Sequence, residues 1–153
     1  MNTKDRRVCF SPEGFGRFLS VLNRRFGSAG DSILYSMARE FGIYDTKQML
    51  ALLKSDSSIN NEASIVSELL DSITSFGWGQ YKIGKFDLLE GEIEIIVKDN
   101  PTLVNCNKTN SSQCFFVKGV LSGIIKEVTE IEFHPSKHIC QDDNNTCHFS
   151  FTR

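Results

Sequence analysis

Cysteine is the side chain best placed to do chemistry in this sequence, and three of the five cysteines fall into a pattern. Cys114 opens the apolar stretch "CFFVKGVLSG", and further on Cys140 and Cys147 bracket the turn-rich "QDDNNT". The three histidines, His134, His138 and His148, lie in the same C-terminal region. Thiolate and imidazole are the ligands of tetrahedral zinc sites, and two cysteines flanking a tight turn can supply half of such a site. Cys114 can be a third ligand if its helix start packs beside that turn, because exposed amides at a helix N-terminus favour a thiolate. His138 is the fourth candidate, with His134 and Cys106 behind it. Spacing alone leaves three readings open: a metal site, buried thiols without metal, or a disulfide. A metal enclosed by four protein ligands has no open position for substrate, so such a site would be structural.

Other chemistry has few carriers. "GFG" at 14–16 and "FGWG" at 76–79 are too short for nucleotide fingerprints and do not follow a strand and open a helix. Glu90, Glu92 and Glu94 alternate as a solvated strand face would. Haem needs an axial ligand facing an apolar cavity, and no histidine stands in the N-terminal half. Phe15, Phe18, Trp78, Tyr81 and Phe86 can either fill a core or line a pocket for an apolar small molecule, which is the ligand class they suit. A net charge of −2 without a basic stripe argues against nucleic acid. No apolar run approaches the roughly 18 residues of a membrane span. The opening "MNTKDRRVCF" lacks the apolar core of a secretory leader, so a cytoplasmic location is expected, and the sequons at Asn107, Asn110 and Asn144 are expected to stay unglycosylated. In a reducing compartment, spaced cysteines point to metal or free thiols more than to disulfides.

The elements that must position these residues begin with helices. At 153 residues, with 40% hydrophobic composition and no repeat or linker, the chain suits one domain spanning 1–153. Phe15, Phe18, Leu19, Leu22 and Phe26 recur at helical spacing until "GSAGDS". Asp31 or Ser32 is expected to cap a second helix carrying Ile33, Leu34, Met37 and Phe41 and ending at Gly42. Thr46 is expected to cap a short helix with Met49, Leu50 and Leu53, and a longer one follows with Ile65, Val66, Leu69, Leu70 and Ile73. All four stripes are expected to face the core or, for some of their side chains, to line a cavity. Tyr81, Ile83 and Phe86 predict a strand paired with "GEIEIIV" in a hairpin closed by Pro101. After a polar loop, Ser111 or Ser112 is expected to cap a helix from Cys114 that is apolar on most sides and therefore buried. "VTEIEFH" and "TCHFSFT" are expected to form the last hairpin. The class is α+β: N-terminal helices and one buried C-terminal helix on an antiparallel sheet of two hairpins.

Cys114, then Lys118-Gly119-x-Leu121-x-Gly123, then Cys140 and Cys147 resemble the vinyl-4-reductase domain family. That family carries a cysteine and a glycine-paired helix followed by a two-cysteine hairpin, and it is related to vesicle-tethering subunits. The resemblance extends along essentially the whole chain, with its specific motif in residues 114–151. It implies structural zinc held by Cys114, Cys140, Cys147 and the residue three before Cys140. That residue is Lys137 here, where the family has glutamate. A protonated lysine offers no lone pair. His138 next door is therefore the expected fourth ligand after a small register shift. The resemblance further implies a non-enzymatic domain that senses apolar or aromatic compounds, forms a homodimer, and signals through a separate partner chain. The alternative is an interaction subunit like the tethering proteins, without a free ligand. An enzyme of porphyrin-type chemistry is a third reading.

Overall fold

The computed structural model describes residues 10–53, 61–100, 114–141 and 146–153. The expected hairpin closure at Pro101, the caps Ser111 and Ser112, and Cys106 lie outside the described residues. Four helices and a four-stranded antiparallel sheet follow in the order α1 (Pro12–Phe26), α2 (Ser28–Leu53), α3 (Glu62–Ser75), β1 (Gln80–Asp87), β2 (Glu92–Lys98), α4 (Cys114–Thr129), β3 (His134–Gln141) and β4 (Thr146–Thr152). The sheet order is β1-β2-β4-β3, so each hairpin contributes an edge strand and an inner strand. This is the α+β arrangement expected from the sequence.

Local signals set most boundaries. Ser11 caps α1 by accepting from the Gly14 amide, Pro12 stands in the first turn, and Gly27 stops the helix at φ 54°. Asn61 caps α3 in the same way through the Ser64 amide. On β2 and β4 strict alternation turns Ile93, Ile95, Val97, Cys147, Phe149 and Phe151 inward, all buried, against Leu69, Leu70, Leu121 and Ile125 of α3 and α4.

Three expectations are corrected. Asp31, Ser32, Gly42 and Thr46 do not bound helices, because α2 runs unbroken for 26 residues. Gly42 sits there for contact rather than termination: a Cβ on it would stand 2.3 Å from the Val120 carbonyl oxygen. Next, Val128 and Thr129 do not begin a strand. The Thr129 hydroxyl donates to the Ile125 carbonyl and the Glu130 amide to that of Lys126, so helical bonding continues to the φ 59° residue Glu130, and β3 starts only at His134. Finally, the α1 and α2 stripes are not all core. Phe18, Phe26, Ile33, Met37 and Phe41 are exposed, since helical spacing reveals an apolar face without revealing what covers it.

α2 carries two such faces. Leu34, Ala38, Gly42 and Thr46, four residues apart, are buried on the α4 side, while Ile33, Met37, Phe41 and Tyr44 form the exposed stripe. Against α4 the packing is backbone to backbone. A Cβ on Gly119 would fall 2.4 Å from the Tyr35 carbonyl oxygen, and one on Gly123 would fall 2.3 Å from that of Arg39. Around this seam the Tyr35 hydroxyl bonds Ser122 at 3.0 Å, and the Arg39 guanidinium contacts both Glu132 carboxylate oxygens at 2.7 and 2.9 Å.

Gly123→Ala must separate the two backbones. It should lower stability by about 2–3 kcal/mol, a fall in melting temperature of roughly 5–10 °C in scanning calorimetry. An unchanged transition would contradict the close contact.

Candidate functional site

Two places on the inner side of the sheet carry chemistry, and α4 reaches both. At its first residue the Cys114 thiol is buried, and beside it the β3–β4 hairpin brings Cys140 and Cys147 together as direct cross-strand partners. Cys140 Sγ lies 3.8 Å from Cys114 Sγ, 2.7 Å from Cys147 Sγ and 3.1 Å from His138 Nε2. All four ligand atoms fall within 4.8 Å of one another. The three thiols are free.

Strand alternation brings His138 here. Residues two apart on a strand share a face, so His138 and Cys140 point the same way while Lys137 belongs to the other face. The bulge between Pro135 and Lys137 lies before His138 and leaves this alternation intact, so no further register shift is needed. Phe149, the cross-strand partner of His138, stacks on its ring at 4.6 Å and fixes the imidazole plane. His134 is exposed at the start of β3, outside the cluster.

The protons of this cluster are shared unequally. Hydrogen bonds from Cys114 and then Cys147, with a smaller contribution from His138, hold the Cys140 thiol far below its ordinary value. Cys114 is pushed far up by bonding to Cys140 and Cys147 and by burial. At Cys147 the contact with Cys114 favours the thiolate, yet its bond to Cys140 and burial leave it raised; the buried Asn100 side chain bonds the same sulfur and lowers it slightly. Negative charge thus gathers on Cys140, at the centre of the four groups. Ligands about 2.3 Å from a tetrahedral ion stand about 3.8 Å apart, which is the Cys114–Cys140 spacing; Cys140 and Cys147 would spread by about 1 Å around it. Three thiols and one imidazole form a donor set of structural zinc, so the residues present fit such an ion.

The second place is a cavity of about 110 Å³ enclosed by α2, α3, α4 and the start of β1. Its walls are apolar: Met49 from α2, Leu69 and Ile73 from α3, Val117 and Ile124 from α4, with Trp78 and Tyr81 closing the sheet side. Phe41 and Phe76, each about half exposed, and the exposed Asp45 flank its mouth. Partial burial raises the Asp45 carboxyl above its ordinary range. Thr46 also belongs to the wall, but its hydroxyl is itself fully buried and has no hydrogen-bond partner. Leaving such a group unpaired costs about 1–3 kcal/mol.

Of the aromatic residues singled out in the sequence, Trp78 and Tyr81 line this cavity. Phe15 does not: it packs behind the wall, its ring 5.2 Å from that of Trp78 and 4.9 Å from that of Phe116. Phe18 is exposed on α1, and Phe86 packs on the core from the far end of β1. Sequence reading did not name Met49, Val117 or Ile124 as wall residues: Met49 and Ile124 fell in stripes read first as core, and Val117 was not singled out. It missed Thr46 because it read that residue as a helix cap. The Tyr81 hydroxyl is raised well above its ordinary value, by burial first and then by the charge of Cys147.

No protein-family model matches the chain, and no characterised protein matches it by sequence. Solved structures do match. The phenol-responsive sensory domain of the transcription activator PoxR, solved with phenol, superposes with a TM-score of 0.72 over 97% of this chain and 77% of that one, at 12% identity. A trafficking protein particle complex subunit 3 from Naegleria fowleri, covalently bound to palmitic acid, superposes with a TM-score of 0.66 over 92% of this chain and 91% of that one, also at 12% identity. At that identity the likeness establishes a shared fold.

If the four side chains hold a metal as a set, His138→Ala should lose it and Lys137→Ala should keep it. Elemental analysis of the purified variants checks this. Loss of metal from Lys137→Ala with retention in His138→Ala would reverse the assignment.

Proposed function

We propose that this chain is a small-molecule-binding domain of the vinyl-4-reductase type, with structural zinc on Cys114, His138, Cys140 and Cys147. The cavity carries this reading: an apolar chamber of about 110 Å³, reached past half-exposed aromatic rings, in a fold shared with a sensory domain solved with phenol. A close-packed core leaves few voids larger than a water molecule, so a chamber of this size suits an apolar ligand. Zinc acts as a staple, tying the α4 N-terminus to the β3–β4 hairpin, and its binding free energy adds directly to folding.

The mechanism is binding rather than turnover. Among the described histidines, His138 belongs to the cysteine cluster, His148 pairs with Glu94 at 2.8 Å, and His134 is exposed; none lines the cavity. No helix among the described residues is long and apolar enough to cross a membrane. We place the domain in the cytoplasm as one folded unit, passing its bound state to a separate partner chain.

A second reading, an interaction subunit like the tethering proteins, is favoured by the exposed Ile33, Met37, Phe41 and Tyr44 stripe on α2, and Phe18 and Val21 of α1 are exposed as well. Exposed apolar stripes of this kind mark protein contacts. The homodimer belongs to this face under either reading.

Native mass spectrometry separates the two. The sensing reading expects zinc and a non-covalent small-molecule adduct on each chain. Toluene should also raise the melting temperature, and filling the chamber with Ile73→Phe should abolish that shift. An empty protein that toluene does not stabilise would leave the interaction reading. For the dimer, Met37→Glu should halve the mass seen by light scattering, and a wild-type monomer would refute it. Chelation, or Cys114→Ser, should lower the melting temperature by about 5–10 °C; an unchanged transition would sink the zinc staple.

A further inference from the structure

We propose that Cys140 and Cys147 are a reversible oxidation site: a peroxide joins them as a disulfide, and a dithiol parts them again. The disulfide needs only the two sulfurs, whereas its effect on a metal rests on the zinc reading above.

Strand register carries the inference. Cys140 and Cys147 are direct partners in the β3–β4 ladder. Partnered residues of antiparallel strands stand about 4.5–5.5 Å apart at Cα, inside the roughly 4.4–6.8 Å that a disulfide spans. Their sulfurs lie 2.7 Å apart, against 3.8 Å from Cys140 to Cys114, so the bond can close without moving the backbone. Both thiols are free. Access sets the order of events, because Cys140 is exposed and Cys147 is buried. An oxidant in solvent therefore meets Cys140 first and finds a second thiol already behind it, which is the arrangement of reversible thiol sensors.

The Cys140 sulfur attacks one oxygen of hydrogen peroxide. The O–O bond breaks, leaving a sulfenic acid and the first water. The Cys147 sulfur then attacks the sulfenic sulfur, the S–S bond forms, and the S–O bond breaks to release the second water. Two cysteines lose two electrons and the peroxide gains them. The two protons come from the thiols, or from solvent where a metal holds the cysteines as thiolates. A metal takes thiolate as its ligand, so oxidation removes Cys140 and Cys147 from the donor set. Cys114 and His138 remain, too few to close a tetrahedral site. The new bond joins β3 to β4, which are already paired, and does nothing for α4. Oxidation thus frees the start of α4 from the hairpin.

The sequence supplies a direct readout. Trypsin cuts after Lys137, so peptide 138–153 carries Cys140 and Cys147 and no other cysteine, while Cys114 falls on peptide 109–118. The full chain is treated briefly with stoichiometric hydrogen peroxide, its remaining thiols are alkylated, and the digest is weighed. Peptide 138–153 should be unalkylated and lighter by two hydrogen atoms, with 109–118 alkylated. Zinc should be released in step, read with a chromogenic chelator, and the melting temperature should fall as it does on chelation. Dithiothreitol followed by zinc should restore both. Cys114→Ser should keep the link, and Cys147→Ser should leave Cys140 as a sulfenic acid that dimedone traps. The inference falls if 138–153 is instead joined to 109–118, if Cys140 ends as sulfinic acid, or if both cysteines of the wild-type chain stay alkylatable. The zinc content of the untreated protein then decides the staple separately. If the link forms in protein that never held zinc, the oxidation site stands and the zinc reading falls.

Discussion

The contact on which the rest of the molecule depends is the seam where α2 and α4 meet without side chains between them. Gly42 on one helix and Gly119 and Gly123 on the other leave carbonyl oxygens of the facing helix where Cβ atoms would be. Glycine inside a helix costs about 1 kcal/mol relative to alanine, and here that cost is offset by the close approach it permits. The two helices run in the same direction, since residues 35–39 meet Gly119, residues 39–43 meet Gly123, and Lys47 meets Glu127. α4 is thereby held between α2 and the sheet, with Leu121 and Ile125 wholly buried. Both chemical sites take their position from this, because one lies at the first residue of α4 and the other along its length.

The same seam explains what could and could not be read from the sequence. Apolar spacing found every helical stretch but divided α2 into two helices, and the alternation of "EIEIIV" and "CHFSF" located the two inner strands, because one face of each is buried and period determines which residues share it. Gly42 was misread as a stop because glycine ends helices far more often than it lets two of them touch. "VTEIEFH" alternates as a strand does, yet the tertiary position of α4 keeps its first residues helical. The exposed rows of α1 and α2 look in sequence like the buried ones.

The cysteine cluster was more legible than the cavity. Two cysteines flanking a short turn are brought opposite each other by hairpin pairing itself, and Cys114 needed only the helix to start beside them. Even Lys137 was resolvable in principle: strand alternation alone separates it from Cys140 and puts His138 on the same face. A cavity has no such local rule. Phe15, Trp78 and Phe116 form one aromatic group, but only the fold decides which rings face a void and which stand behind it. That Thr46 stands buried within α2 rather than at a helix start is likewise a property of the packed state that no residue type announces.

The two sites are joined by more than a shared helix. Strand register sets Tyr81, Val97, Cys147 and Cys140 in one row across the sheet, with the cavity at one end and the cysteine cluster at the other. The charge of Cys147 is felt at the Tyr81 hydroxyl across that row. Phe116 and Val117, which enter the chamber wall, lie within the first turn of α4 after Cys114. Whatever secures Cys114 to the hairpin therefore also secures two walls of the chamber. An ion there would do this without entering the chamber.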